Sequence, residues 1–91
     1  MSIDFETVKN KFIYMVEDAN EHEVLKDRLL ESIMSDIVAE VFGIGHAYPK
    51  NREVIWDLYA FEVVKTDGNQ IIVNEENLEM FLLLNQKYLK V

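Results

Sequence analysis

With 91 residues, 49% of them hydrophobic, the chain has room for one modest core and a single domain spanning residues 1–91. It contains no cysteine, which excludes a disulfide framework and any thiolate-zinc site. Seventeen Asp and Glu against nine Lys and Arg give a net charge of −8, the reverse of the basic footprint that direct nucleic-acid binding or an anionic membrane demands.

The first residues, Met1 to Glu6, show neither the basic start nor the apolar run of a secretory signal. The apolar stretch Met80–Leu84 is too short to span a bilayer, so a cytoplasmic location is expected. Phe5, Val8, Phe12, Met15 and Val16 recur at helical spacing and predict a first helix that stops near Glu17–Asn20. Asp4 is its expected cap, with Ile3 and Val8 at staple positions. Asn20 followed by Glu23 has capping-box spacing and predicts a second helix from about Glu21 to Phe42. Its apolar stripe is Leu25, Leu29, Leu30, Ile33, Met34, Ile37 and Val41, and Gly43 lies where a C-terminal glycine cap belongs.

Gly43–Asn51 is the loopiest stretch and holds the single proline, Pro49. The run Val54–Val64 is rich in aromatic and β-branched residues, which favours a strand. Asp67-Gly68 then signals a two-residue turn, with Gln70–Val73 as the return strand. A helix over Asn51–Tyr59 is the alternative, because Ile55, Leu58 and Tyr59 also fit that period. Asn74 caps a last helix that should reach about Leu89, with Val73 and Leu78 as its staple and Glu75 and Glu76 in its first turn. Its interior, Leu78 to Leu84, is apolar nearly all round, which suggests burial on more than one side or a self-association surface. The expected architecture is α+β: two N-terminal helices, a β-hairpin and a C-terminal helix in one small domain.

No catalytic pattern emerges. Ser32, Ser35, His22 and His46 supply the residue types of a Ser-His-acid set, but no spacing assembles them and no nucleophile-elbow motif surrounds a serine. His46 reads as a turn or surface residue, and no enzymatic activity is expected. Asp36, Glu40 and His46 form a loose acidic trio without a recognised metal-ligand spacing, so no metal and no cofactor are expected. The glycines make no phosphate-cradling loop.

The carboxylates carry the functional signal. Glu23, Asp27 and Glu31 step by four residues along the second helix, a rise of about 6 Å per step. Asp36 and Glu40 repeat the step, Glu17, Asp18 and Glu21 add charge at the helix junction, and Glu53 and Asp57 follow in the expected strand. Like charges four apart cost a helix stability, so a solvated polar face explains this spacing only in part. A row at this scale is able to stand in for backbone phosphates before a protein with a basic groove. Solubility alone is the plain alternative.

Val16-Glu17-Asp18-Ala19-Asn20 leading into an acidic helix, and Trp56-Asp57-Leu58-Tyr59 before a hairpin, resemble the anti-restriction nuclease (Arn) family of T4-like phages in size, acidity and layout. That resemblance implies a DNA mimic without enzymatic activity, acting in the host cytoplasm. Its implied partner is a DNA-binding protein with a basic groove, such as a restriction endonuclease or a nucleoid protein, and a homodimer is a further expectation. Two alternatives stay open: an immunity or antitoxin protein neutralising a basic nuclease, and an assembly module associating through the C-terminal helix.

Overall fold

A computed structural model describes residues 5–22 and 30–89 of the chain. Three helices come first: α1 (Phe5–His22), α2 (Leu30–Phe42) and α3 (Pro49–Ala60). An antiparallel hairpin follows, β1 (Val64–Asp67) and β2 (Gln70–Val73), then α4 (Glu75–Leu84) and a short 3-10 turn over Gln86–Leu89. The α+β class and the hairpin–helix order agree with the sequence expectation, but three helices precede the hairpin rather than two.

Helix α1 buries Val8, Phe12, Val16 and Ala19, one stripe of a 3.6-residue period. It runs past the expected stop at Glu17–Asn20, because Asn20 is not a cap. The Asn20 amide donates to the Ile71 carbonyl (2.9 Å) and accepts from the Ile71 N–H (2.7 Å). The side chain therefore occupies the outer edge of β2, where backbone groups otherwise stand open to a further strand. The expected cap and staple at Asp4 and Ile3, the stripe positions Leu25 and Leu29, and the capping-box Glu23 lie outside the described residues. Helix α2 buries Ile33, Met34, Ile37, Val38 and Val41 and ends at Gly43, whose φ of 69° is the left-handed conformation of a glycine cap.

The run expected as a strand, Val54 onward, folds as α3. Pro49 opens it, and its buried residues Asn51, Val54, Ile55 and Leu58 are spaced i, i+3, i+4, i+7. A strand would have put Trp56 on the same face as Val54 and Leu58, yet Trp56 is exposed while both others are buried. Packing against α2 and the core thus overrides the β propensity of the aromatic and branched residues. The helix closes in a Schellman arrangement: the Val63 N–H reaches the Leu58 carbonyl (2.8 Å), the Glu62 N–H reaches Tyr59 (3.0 Å), and Glu62 takes the left-handed φ of 56°.

The hairpin pairs Val64 with Val73 and Asp67 with Gln70, leaving Gly68 and Asn69 as its loop. Gly68 alone of the two has positive φ (63°), the place a glycine takes in a type II′ turn. Asn74 caps α4 through the Asn77 N–H (2.9 Å), as expected. The helix ends at Leu84 rather than near Leu89. Asn85 turns both its backbone N–H and its side-chain amide onto the Phe81 carbonyl (3.0 and 2.9 Å) and leaves helical geometry. Val8, Phe12, Met34, Leu58, Ile71, Leu78 and Phe81 meet in one core to which α1–α4 and the hairpin all contribute. The radius of gyration, 12.3 Å, matches the ~12 Å of a compact domain this long. No helix among the described residues is long and apolar enough to cross a membrane.

Candidate functional site

Eight of the ten carboxylates singled out above lie among the described residues; Glu23 and Asp27 do not. Glu17, Asp18 and Glu21 occupy the last turns of α1, all exposed. Glu31 stands in the first turn of α2, with Asp36 and Glu40 further along it. Glu53 and Asp57 lie on α3, not on a strand.

The fold divides this set. Glu31 and Glu53 come together across a groove of about 570 Å³ between α2 and α3. Glu17 instead lines a smaller hollow of about 190 Å³ with Asn20, Ile71 and Glu75. Asp18 meets the His22 ring at 3.1 Å, and Glu53 meets Lys50 at 3.4 Å. Glu17, Glu21, Glu31, Glu40 and Asp57 have no ion-pair partner among the described residues.

Three polar residues shape the α2–α3 groove. Asn51, 2% exposed, donates to the carbonyls of Ile44 (2.8 Å) and Ser35 (3.2 Å). Those two bonds fix its amide so that Oδ1 faces Ser35, whose hydroxyl donates to it at 2.9 Å. The Ser35 oxygen is then the acceptor for His46 Nδ1 at 2.7 Å, and His46 Nε2 lies 3.3 Å from Asp36 Oδ1. A Ser-His-Asp trio is thus present in space, where spacing in the chain showed none. Its proton directions run the wrong way for nucleophilic catalysis: a base must accept the serine proton, and here that proton is committed to Asn51. The trio fastens the loop before α3 onto α2. Of the loose set Asp36, Glu40 and His46, only Asp36 and His46 meet, and no group of three metal-ligating residues forms among the described residues.

Aromatic rings complete the groove. Trp56 and Tyr59 follow Arg52 at i+4 and i+7 on one face of α3, and Tyr48 stands at its entrance. Trp56 is 60% and Tyr48 66% exposed. Tyr59 is half-buried; burial raises its phenol pKa above 10.0, and the nearby Glu31 carboxylate raises it further. The sequence marks Trp56 and Tyr59, but not as site residues, although the i, i+4, i+7 spacing of Arg52, Trp56 and Tyr59 carries the signal once the stretch is read as a helix. Outside the groove, Met80, Leu83 and Leu84 of α4 are exposed. Comparison with protein-family models, with curated proteins and with solved structures gives no match.

Proposed function

We propose that the protein is an acidic DNA mimic that inhibits a DNA-binding host enzyme, such as a restriction endonuclease, by occupying its basic groove. The observation that supports this is the set of five carboxylates, Glu17, Glu21, Glu31, Glu40 and Asp57, without an ion-pair partner among the described residues, on a chain of net charge −8. Uncompensated surface charge costs stability through self-repulsion and gains most when a positive surface arrives to match it. The commitment of the Ser35 proton to Asn51 favours a binding protein over a hydrolase.

The test is inhibition of a modification-dependent restriction endonuclease, together with a pull-down from bacterial lysate at low and high salt. The expected results are dose-dependent protection of DNA and recovery of a DNA-binding protein only at low salt. Reversal of Glu17, Glu21, Glu31 and Glu40 to Lys should abolish both without lowering helix content. Retained inhibition by the reversed variant rejects mimicry.

A second reading, an assembly module, is favoured by the exposed Met80, Leu83 and Leu84 on α4. It expects an oligomer at micromolar concentration that dissociates on Leu84→Lys, as read by sedimentation velocity.

A further inference from the structure

We infer that the α2–α3 groove is a receptor for an arginine side chain projecting from the partner protein's basic surface. The inference rests on the mimicry reading for the partner's identity; the groove's chemistry stands on its own observations.

Two independent features point to an organic cation. The first is aromatic: Tyr48, Trp56 and Tyr59 line one cavity, and the two most exposed present large ring surfaces to solvent rather than to the core. Ring faces attract a cation through their quadrupole, most strongly for tryptophan. The second is electrostatic: Glu31 enters the same cavity from the facing helix with no ion-pair partner among the described residues, beside the half-buried Tyr59. A planar guanidinium satisfies both at once, stacking on a ring while forking two N–H groups to a carboxylate, which a lysine ammonium does not do.

The positive groups already there must be counted. Arg52 lines the wall four residues before Trp56, and His46 lies at the loop end, held by Ser35 and Asp36. Glu53 shares its charge with Lys50. Arg52 is exposed and therefore free to swing outward, but it competes with an incoming cation for the same ring and carboxylate. Its removal should tighten binding, an effect opposite to that of the other wall residues.

The probe is a blocked tri-arginine peptide, titrated into the full chain with isothermal calorimetry and with the indole N–H signal of Trp56, the single tryptophan, as a local reporter. Saturable binding with a shifted Trp56 signal is expected, weaker for tri-lysine. Trp56→Ala and Glu31→Gln should each weaken it about 5-fold or more, and Arg52→Gln should strengthen it. Glu75→Gln, which removes the same charge from the start of α4, should change it less than about 2-fold. Absence of saturation, an undisturbed Trp56 signal, or equal losses for Glu31→Gln and Glu75→Gln overturns the pocket. Both affected side chains are exposed, and unchanged thermal melts would establish that the variants fold. Endonuclease inhibition is scored separately: a peptide-binding groove on a chain that inhibits nothing keeps the pocket and rejects the mimic, and inhibition untouched by Trp56→Ala in a chain that binds no peptide does the reverse.

Discussion

Lys9 and Glu31 sit in opposite circumstances. Lys9 lies at the seam where α1 meets α4, its ammonium 2.8 Å from Glu79 and 3.6 Å from Glu6. The hydrogen bond it donates to Glu79 raises its pKa above 10.5, against the opposing effect of desolvation. Three turns further along α1, Asn20 spends both ends of its amide on Ile71 of β2. In the α2–α3 groove, Glu31 has no ion-pair partner among the described residues and Trp56 faces water. Polar groups at the seam are consumed by the fold. In the groove, Glu31 and the exposed aromatic faces are left over by it, whereas Asn51 at the floor, the Ser35–His46–Asp36 contacts and the Glu53–Lys50 pair are consumed in the same way. Residues that a fold leaves unpaired are the ones a partner is able to use.

The sharpest way to break this comparison is at the floor. Asn51→Ala removes three hydrogen bonds at a buried position and takes the side-chain donors away from the Ile44 and Ser35 carbonyls, so it should cost about 3 kcal/mol in chemical denaturation. It should also free the His46 loop, visible as faster amide exchange over residues 44–48. A loss below about 1 kcal/mol would place Asn51 with the walls and not with the core.

Asn20→Ala tests the seam in the same way, with a smaller effect. The site is only partly buried, so water replaces some of what is lost, and about 1.5 kcal/mol is expected. The bared edge of β2 should also make the variant more prone to aggregate, which light scattering at high concentration would detect.

Glu62 links the two regions, since it ends the groove helix α3 and its carbonyl accepts from the Asn77 side chain of α4 (3.2 Å). A left-handed conformation strains any residue with a Cβ, and glycine is the usual occupant of this cap. Glu62→Gly should therefore stabilise the chain, by about 0.5 kcal/mol after the entropy that glycine adds to the unfolded state. A rise in Tm with unchanged peptide binding is the expected pairing; a fall would mean that the Glu62 side chain supplies more than its backbone strain costs.

These elements differ in how well the sequence foretold them. The Asn74 cap, the hairpin turn beside Gly68 and the glycine after α2 were legible because each is decided within four or five residues, though the loop is Gly68-Asn69 and not Asp67-Gly68. The Val54 run reads first as a strand because β-branched propensity outweighs the i, i+3, i+4, i+7 burial period, and the alternative helix over Asn51–Tyr59 is the one that packing enforces. Asn20 was misread for a related reason: its spacing to Glu23 matches a cap, but its true partner lies 51 residues further along. The groove was invisible because Glu31 and Trp56 stand on different helices, and only the packing of α2 on α3 brings them to one cavity. The Ser35–His46 contact likewise spans a loop whose course no local rule predicts.

The smallest expected effect concerns the exposed end of α1. His22 Nδ1 lies 3.2 Å from the Asp18 carbonyl and 3.1 Å from its carboxylate. The backbone contact raises its pKa above 6.5 most, and the charges of Asp18 and then Glu21 add to this. A raised pKa means that the folded state holds the proton more tightly than the unfolded one. The stabilisation is therefore fully present below about pH 6.5 and is lost as pH rises through the raised value. Proton NMR of the His22 ring should show a midpoint above the usual histidine range, and Asp18→Asn should move it down. Because the backbone carbonyl remains, that variant should recover part of the shift and not all of it. A midpoint unmoved by Asp18→Asn would assign the effect to the Asp18 carbonyl and the Glu21 charge, and would leave the Asp18 carboxylate available to a partner.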